Sequence, residues 1–346
     1  MTSRERVLRT LARLPVDRVP VGPMMMDYGA TAIGEPVGVF CQDAEVMARG
    51  NLAVWERLGQ DVIFLGSDNY YIAEGFGCVS EQPPDETPHL ARPPLERISD
   101  VYDLRVPDPL RDGRMPVFVE ATRIVRRAVG DEVAIRTPGT GPFALASYFV
   151  GTQEFLIEVG MANAGLPGSD PDAIHHALGL AADALIAFGK ACFDAGADLL
   201  HCGDSLASCD VISPADYERW AFPYERRVIQ AWKEYGARTL LHICGDASKV
   251  IGLYADTGAD IIEVDHKVDL AFARDTVAGR SCLIGNLDPV TVLLQGTPER
   301  VRAASEACLA VGRGGGYVLG SGCVVPRHTA LENLQAMVAA ARDASV

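Results

Sequence analysis

The sequence predicts a (β/α)8 barrel with an N-terminal helical segment, and three observations support this fold class. Eight apolar, β-branched runs recur along the chain, each followed by Gly, Asp, Asn or Pro, and stretches with helical periodicity separate most of them. The chain of 346 residues also has the length of one such barrel with insertions. The eight runs are residues 19–26, 61–69, 132–141, 197–204, 239–246, 260–266, 281–289 and 317–323.

The apolar character of these runs predicts how the strands pair. Near-continuous apolar strands that alternate with helices indicate a parallel sheet covered on both faces. Eight strand–helix units favour a closed barrel over an open sheet. We therefore interpret residues 1–346 as a single domain.

The segments outside the runs predict a helical start and two insertions. Residues 1–20 have the amphipathic, charged pattern of a helix and lack the apolar region of a signal peptide. Two long gaps, 70–131 and 142–196, predict insertions after strands 2 and 3. The Pro-rich stretch 81–100 within the first gap predicts a surface loop or arm rather than a linker between domains.

Three later helices have recognisable start signals. The Ser213-Pro214 and Thr297-Pro298 pairs each place an N-cap residue before proline at the first helical position. Thr329 and Glu332 have the spacing of a capping box. We therefore expect helices to begin at these three points.

Composition excludes several classes of function. A formal charge of −15 and a pI near 4.9 argue against a nucleic-acid or anionic-membrane surface. We find no apolar run of the length expected for a membrane span. The nine cysteines form no regular framework in this long chain, which indicates reduced thiols in a cytoplasm.

Polar residues follow the apolar runs at the point where each run closes. In barrels of this class the chemistry lies at the carboxyl ends of the strands. Asp and Asn are also ordinary strand-terminating residues, so some of these side chains could be caps. The set comprises Asp27, Asp68, Thr137, Asp204, His242 with Cys244, Asp265, Asn286 with Asp288, and Cys323.

The stretch "TLLHICGDAS" (239–248) contains the pattern that best indicates a metal site. His242 and Cys244 are two residues apart, so in an extended chain their side chains leave the same face. Alone, this pattern also fits a core strand with a buried histidine and an inert cysteine. Cys323 closes the last run and would add a third ligand at the same mouth. Two thiolates and one imidazole suit a catalytic Zn²⁺ with an exchangeable fourth position.

Four long segments resemble the uroporphyrinogen decarboxylase superfamily, and within it the corrinoid-dependent methyltransferases of the methylcobamide:coenzyme M type. The segments cover most of residues 195–340, and the first half of the chain matches more loosely. They are "GDSLASCDVISPADYERWAFPYERRVI" (203–229), "LLHICGDASKVIGLYADTGADIIEVDHKVDL" (240–270), "LIGNLDPVTVLLQGTPERV" (283–301) and "GSGCVVPRHTALENLQAMV" (320–338).

Two features separate the branches of this superfamily. The decarboxylases carry an arginine-rich segment after the first strand that binds the substrate carboxylates, whereas this chain has no arginine between Arg18 and Arg49. The methyltransferases bind zinc through an H-x-C pair and a late cysteine. The resemblance therefore implies that His242, Cys244 and Cys323 are zinc ligands.

The resemblance also implies weaker roles for other residues. Asp265 falls where related cobalamin-independent methionine synthases place an acidic zinc ligand, so it is a possible fourth ligand or a partner of one. Asp68 matches an acidic residue of the superfamily that orients substrate or a ligand. The three methionines Met24, Met25 and Met26 could face a flat corrin, or could fill the barrel end. We assign acceptor binding to Asp68, Asp204, Asn286 and Asp288.

The implied reaction moves a methyl group from a methylated corrinoid to an acceptor held at zinc. The acceptor is either a thiol such as coenzyme M or tetrahydrofolate, whose amine would need activation by zinc or Asp204. The chain lacks a D-x-H-x-x-G cobalamin motif, so we expect a small corrinoid protein as partner. Oligomeric state is open between monomer and homodimer. The rival functions are a metal-free, decarboxylase-like lyase and a non-catalytic zinc or corrinoid-binding scaffold.

Overall fold

The computed structural model describes residues 1–344, and its centre is a seven-stranded parallel sheet. Neighbouring strands follow one another around the sheet in chain order, apart from an antiparallel hairpin of β2 and β3 that lies outside it. The strands are β1 (Val62–Phe64), β2 (Val79–Glu81), β3 (His89–Arg92), β4 (Ala134–Arg136), β5 (Leu199–Gly203), β6 (Arg238–His242), β7 (Ile261–Glu263), β8 (Cys282–Leu287) and β9 (Tyr317–Ser321).

Fourteen helices surround this sheet within the described residues, most of them on its outer face. They are α1 (Ser3–Leu11), α2 (Tyr28–Ile33), α3 (Val37–Gln42), α4 (Ala44–Leu58), α5 (Met115–Val129), α6 (Pro142–Ser147), α7 (Thr152–Asn163), α8 (Pro171–Asp194), α9 (Pro214–Asp216), α10 (Phe222–Glu234), α11 (Ile251–Asp256), α12 (Leu270–Val277), α13 (Pro298–Gly312) and α14 (Leu331–Asp343). Short 3-10 turns occupy Ala73–Phe76 and Ile98–Asp103, and π-helical turns occupy Tyr217–Ala221 and Pro289–Leu294.

The two faces of the sheet have different partners. Leu241 and Ile262 point outward into the large core shared with the helices. Leu240 and Ile261 point the other way, because successive residues of a strand alternate between faces. On this inner face they form a separate apolar cluster against Leu11 of α1. The N-terminal helix therefore covers the amino end of the inner face and leaves the carboxyl end to the loops.

The first predicted strand is the main departure from the predicted barrel. Residues 19–26 form only two isolated bridges, Val21 with Leu319 and Met24 with Val324. The segment still lies between β9 and β1, since Gly22 N–H donates to the Leu319 carbonyl at 2.9 Å and Asp61 N–H donates to the Val21 carbonyl at 2.7 Å. Pro20 and Pro23 interrupt the run and have no N–H to donate to a ladder.

Two of the three predicted helix starts are confirmed. Ser213 and Asp216 form a reciprocal capping box, and the Thr297 hydroxyl accepts from Arg300 N–H. The Thr329–Glu332 capping box is wrong, since α14 begins only at Leu331 and its N-cap residue makes no side-chain bond. Thr329 instead belongs to a turn in which its N–H donates to the Pro326 carbonyl at 2.9 Å. This turn moves the N-cap from Thr329 to Ala330, one residue along the chain.

Both predicted insertions are present. The first contains the β2–β3 hairpin and α5, so the Pro-rich stretch 81–100 is partly a two-stranded arm. The second contains α6, α7 and α8. Helix α8 has 24 residues and an apolar window of mean hydropathy 1.3, which by length and composition is enough to cross a membrane, contrary to our expectation. Half of that window is buried inside the protein, as in a core helix.

Candidate metal centre

A layer of polar side chains lies on the inner face of the sheet, towards its carboxyl end. The apolar inner-face residues of β4 to β7 are each followed, two positions later, by a polar residue on the same face. These residues are Arg136, His201, His242 and Glu263, and all four are buried. The apolar half of the inner face therefore supports a polar half next to the strand-end loops.

Three side chains converge above this layer. His242 is the last residue of β6, and Cys244 lies two residues beyond it. Cys323 lies two residues beyond the end of β9. The His242 Nε2 lies 3.2 Å from the Cys244 Sγ, which lies 3.6 Å from the Cys323 Sγ. All three ligand atoms are within 4.8 Å of one another. The predicted convergence of residues 79 positions apart is therefore present.

This donor set fits a tetrahedral zinc ion. Zinc bonds of about 2.0 to 2.3 Å in tetrahedral geometry separate ligand atoms by about 3.3 to 3.8 Å, close to the distances found here. Thiolate and imidazole are also the ligand types that Zn²⁺ prefers. Three protein ligands would leave one coordination position for another molecule.

Glu263 lies behind the histidine on the side away from the thiols. The His242 Nδ1 is 3.3 Å from the Glu263 carbonyl oxygen and 3.4 Å from its Oε2. An Nδ1–H directed at these oxygens leaves the Nε2 lone pair free for a metal. Arg136 holds the carboxylate in turn, donating to both of its oxygens at 2.7 and 2.6 Å.

The charges of the three candidate ligands are coupled. A hydrogen bond from Cys244 and the nearby His242 lower the pKa of Cys323 to about 4. Burial alone would lower the pKa of His242, but the Glu263 carboxylate and Cys323 raise it to about 9. The bond to Cys323, together with burial, raises the pKa of Cys244. Without a metal the cluster therefore holds one thiolate, one imidazolium and one thiol at neutral pH.

Asp265 and Asn286 shape the loops that carry the cluster. Asp265 Oδ2 accepts from the Gly245 N–H at 2.9 Å, and its Oδ1 accepts from the Lys267 N–H at 2.9 Å. The Asn286 amide donates to the carbonyl oxygens of Asp265 and Val268. Asp265 thus contacts the backbone next to Cys244 and lies outside the three-residue ligand cluster.

The other predicted acid sites have protein partners. Asp68 lies at the cavity beside the cluster and accepts two bonds from Arg114, at 2.7 and 2.8 Å. Asp204 is buried and accepts from the N–H groups of Phe143 and Ala144 at the start of α6. Asp288 caps the π-helical turn that follows it. Their assignment to acceptor binding stays a prediction.

Two of the three methionines face the candidate centre. Met24 and Met26 line a cavity of about 40 Å³ together with His242 and Cys244. Met25 packs into the main core, because a neighbouring residue in an extended segment points to the other side. A role in corrin contact therefore stays a prediction for Met24 and Met26, while Met25 fills the core.

A much larger cavity than the one beside the cluster lies elsewhere. It measures about 710 Å³ and is bordered by α1, α13, α14 and the glycine loop 313–316. These elements stand at the amino end of the strands. Size alone would choose the wrong end of the sheet, since all the convergent ligand atoms are at the carboxyl end.

Sequence reasoning missed Arg136, Glu263 and Arg114 as parts of the site. A signal existed for the first two, because each is the one charged residue within its short apolar strand, β4 or β7. His201 and Cys202 are neighbours in β5, so strand alternation places them on opposite faces, and sequence reasoning gave His201 no role. Arg114 lies in the first insertion, 46 residues from Asp68, and no local pattern connects the two.

Comparisons with known proteins place the chain among established relatives. The family model for uroporphyrinogen decarboxylase (URO-D) matches residues 2–344. The chain is 32% identical over 347 residues to methylcobamide:CoM methyltransferase MtbA of Methanosarcina mazei, covering 99% of this chain and 98% of the relative. It is 31% identical over 318 residues to uroporphyrinogen decarboxylase of Xanthomonas oryzae pv. oryzae, covering 87% and 86%.

A solved structure gives the same result for the fold. A methyltransferase from Methanosarcina mazei superimposes with a TM-score of 0.89 at 28% identity and covers 98% of both chains. These comparisons confirm the resemblance read from the sequence and the prediction of a methyltransferase. Since the family model spans nearly the whole chain, this protein belongs to the uroporphyrinogen decarboxylase (URO-D) family.

Proposed function

We propose that this protein is a zinc-dependent methyltransferase that moves a methyl group from a methylated corrinoid protein to a thiol of the coenzyme M type. The observation that carries the proposal is the convergence of His242, Cys244 and Cys323, with all three ligand atoms within 4.8 Å. The similarity to a methylcobamide:CoM methyltransferase over 99% of the chain supports it.

The candidate ligands and the residues around them would have separate roles. His242, Cys244 and Cys323 would hold the ion, which would supply a fourth position for the acceptor and lower the pKa of a thiol there. Glu263 fixes the histidine so that Nε2 faces the ion. Asp265 fixes the loop that carries Cys244 through the Gly245 N–H.

The overall transfer is a displacement at carbon. The sulfur of the acceptor forms a bond to the methyl carbon, while the carbon–cobalt bond breaks and its electron pair stays on cobalt as Co(I). The proton of the thiol must leave before or during this step. The corrinoid arrives on a separate protein in this proposal, since the chain has no cobalamin motif.

The test uses purified protein loaded with zinc, methylcobalamin as donor, and either coenzyme M or tetrahydrofolate as acceptor. We expect corrinoid absorbance to change from methylcobalamin to Co(I) or Co(II) with coenzyme M, at a rate proportional to enzyme. Methyl-coenzyme M is quantified in parallel. A change with tetrahydrofolate alone would assign the other acceptor, and no change with either would reject the transferase.

A decarboxylase-like lyase is the second candidate, because the chain is 31% identical to the uroporphyrinogen decarboxylase of Xanthomonas oryzae pv. oryzae. The substrate of such a lyase carries acidic groups, and binding them requires arginine or lysine side chains that are not already paired. Arg18, the last arginine before the methionine segment, donates instead to both carboxylate oxygens of Asp61, at 2.7 and 3.0 Å. Incubation with uroporphyrinogen and detection of carbon dioxide tests this candidate, and release by metal-free protein would support it.

A further inference from the structure

His201 lies beside the candidate metal centre without belonging to its ligands. It is the middle inner-face residue of β5, between Leu199 and Gly203. Its imidazole lines the same cavity as His242 and Cys244, and the two histidine rings have centroids 6.3 Å apart. Only 3% of the residue is exposed. A buried polar ring therefore borders the cavity beside the candidate ligands.

Arg136 determines which nitrogen of His201 carries the hydrogen. The Arg136 Nη2 lies 3.1 Å from the His201 Nε2, and a guanidinium can only donate. Nε2 must therefore accept, which requires an unprotonated nitrogen at that position. Burial and the charge of Arg136 lower the pKa of His201, so the ring is neutral and its single hydrogen is on Nδ1.

The Nδ1–H group has no hydrogen-bond partner among the described residues. Buried donors are paired in the great majority of cases, and an unpaired one in a polar cavity usually indicates a ligand or an ordered water. The donor is also fixed in direction, because Arg136 is itself held by Glu263. His201, a residue of the cavity wall, thus carries one rigid donor without a protein partner.

Two glycines keep this ring in place beside the cavity. A Cβ atom at Gly203 would lie 2.9 Å from the His201 Nε2. A Cβ atom at Gly139 would lie 1.8 Å from the His201 carbonyl oxygen and 3.0 Å from its Cγ. Since both positions lack a side chain, the imidazole keeps its place in the wall next to His242.

We propose that the His201 Nδ1–H binds the polar tail of the methyl acceptor, so that His201 determines which thiols the enzyme accepts. This inference rests on the proposed function and adds the residue that recognises the acceptor. The acceptor would be a short thiol with an oxygen on its tail, such as a sulfonate, carboxylate or hydroxyl. A tail of four bonds spans on the order of 5 Å when extended, comparable to the separation of the two rings.

The test compares three thiols with methylcobalamin as donor: 2-mercaptoethanesulfonate, 2-mercaptoethanol and ethanethiol. For the wild-type enzyme we expect KM to be lowest with the sulfonate and highest with ethanethiol. In His201→Leu the KM for the sulfonate should rise about tenfold to hundredfold, the range for loss of a hydrogen bond to a charged group. The KM for ethanethiol should change less than about twofold.

His201→Gln is the matched control, because its amide can accept from Arg136 and still donate to a ligand. It should recover a large part of the preference for the sulfonate. Zinc content and melting temperature are measured for both variants. An unchanged ratio of KM values in folded, zinc-loaded His201→Leu would overturn the inference while leaving the transferase intact. If the wild-type protein methylates no thiol at all, the proposed function itself fails.

A second measurement needs no variant. The Nδ1–H proton of His201 should give a slowly exchanging NMR signal, since the group is buried. Addition of 2-mercaptoethanesulfonate to zinc-loaded protein should shift this signal, and addition of ethanethiol should leave it in place. A signal that responds to neither thiol would mean that Nδ1 binds a permanent water, which contradicts the inference.

Discussion

The guanidinium of Arg136 and the carboxylate of Glu263 form a two-pronged ion pair on the inner face of the sheet, with side chains no more than 1% exposed. The pair joins β4 to β7, which are three strands apart in the sheet. Within the buried polar layer of the inner face, Glu263 also contacts His242 and Arg136 also contacts His201. The two opposite charges neutralise each other. Neither charge could stay buried without the other.

The first prediction is a double-mutant cycle on this pair. Arg136→Met alone or Glu263→Leu alone should destabilise folding by about 3 to 5 kcal/mol, because each leaves a buried charge uncompensated. The double variant should be much closer to wild type, since it removes both charges. Urea unfolding of the four proteins gives the coupling energy. Additive single effects would contradict the pairing.

The second prediction concerns Cys323. Replacement of Cys323 by alanine should abolish stoichiometric zinc and methyl transfer, while circular dichroism and melting temperature stay near wild type because the residue lies in a loop after β9. Cys209→Ala is the matched control, a cysteine of similar intermediate burial outside the cluster. Zinc is measured by elemental analysis. Full activity in Cys323→Ala would reject the zinc mechanism.

The sequence was sufficient for what depends on local pattern. Seven of the eight apolar runs are strands, and two of three capping signals lie at helix starts, because alternation, capping and proline geometry act over a few residues. The three-residue cluster was predictable for a different reason. Parallel strands bring their carboxyl ends together, so residues that close separate runs must meet at one end.

The remaining features depend on pairings that the chain does not encode locally. Asp68 pairs with Arg114 from an insertion, and Asp204 accepts from the start of α6; in both cases the partner is set by packing. The irregular first segment, 19–26, lies between β9 and β1 as predicted but lacks strand geometry at its prolines. Tertiary contacts therefore determine the partners of the residues around the three candidate ligands.

The third prediction is the pH dependence of zinc binding. The pKa of His242 is raised to about 9, and the pKa of Cys244 is also raised, so both carry protons at pH 7, whereas Cys323, with its pKa near 4, does not. Zinc must displace both protons, so affinity rises with pH. Between pH 6 and 8 the logarithm of the apparent binding constant should rise by about two per pH unit.

Competition with a chromophoric chelator measures this slope, and titration calorimetry in two buffers counts the protons released. Cys244→Ser is the informative comparison, because it removes one of the two displaced protons, and its slope should fall to about one. A slope of one or less in the wild-type protein would contradict the protonation states assigned here.

The fourth prediction separates two carboxylates that share one arginine. Asp68 and Glu74 both accept from Arg114, but only Asp68 lines the cavity beside the cluster. Asp68→Asn and Glu74→Gln should therefore reduce stability to a similar extent. If Asp68 contacts the acceptor, Asp68→Asn alone should raise KM. Equal KM values for the two variants would limit Asp68 to a structural role.

The last prediction uses two glycines with opposite surroundings. A Cβ atom at Gly141 would lie 2.2 Å from the Asp204 side chain, so Gly141→Ala must push Asp204 away from the N–H groups at the start of α6. We expect a loss of at least about 2 kcal/mol in unfolding free energy, as for other buried polar groups that lose their partners.

Gly160 is exposed within α7, and a Cβ there meets nothing within 4 Å. Gly160→Ala should stabilise the protein by about 0.5 to 1 kcal/mol, because alanine loses less backbone freedom in a helix. Thermal and urea unfolding of both variants should move in opposite directions, and a shift of the same sign would contradict the contacts around Gly141.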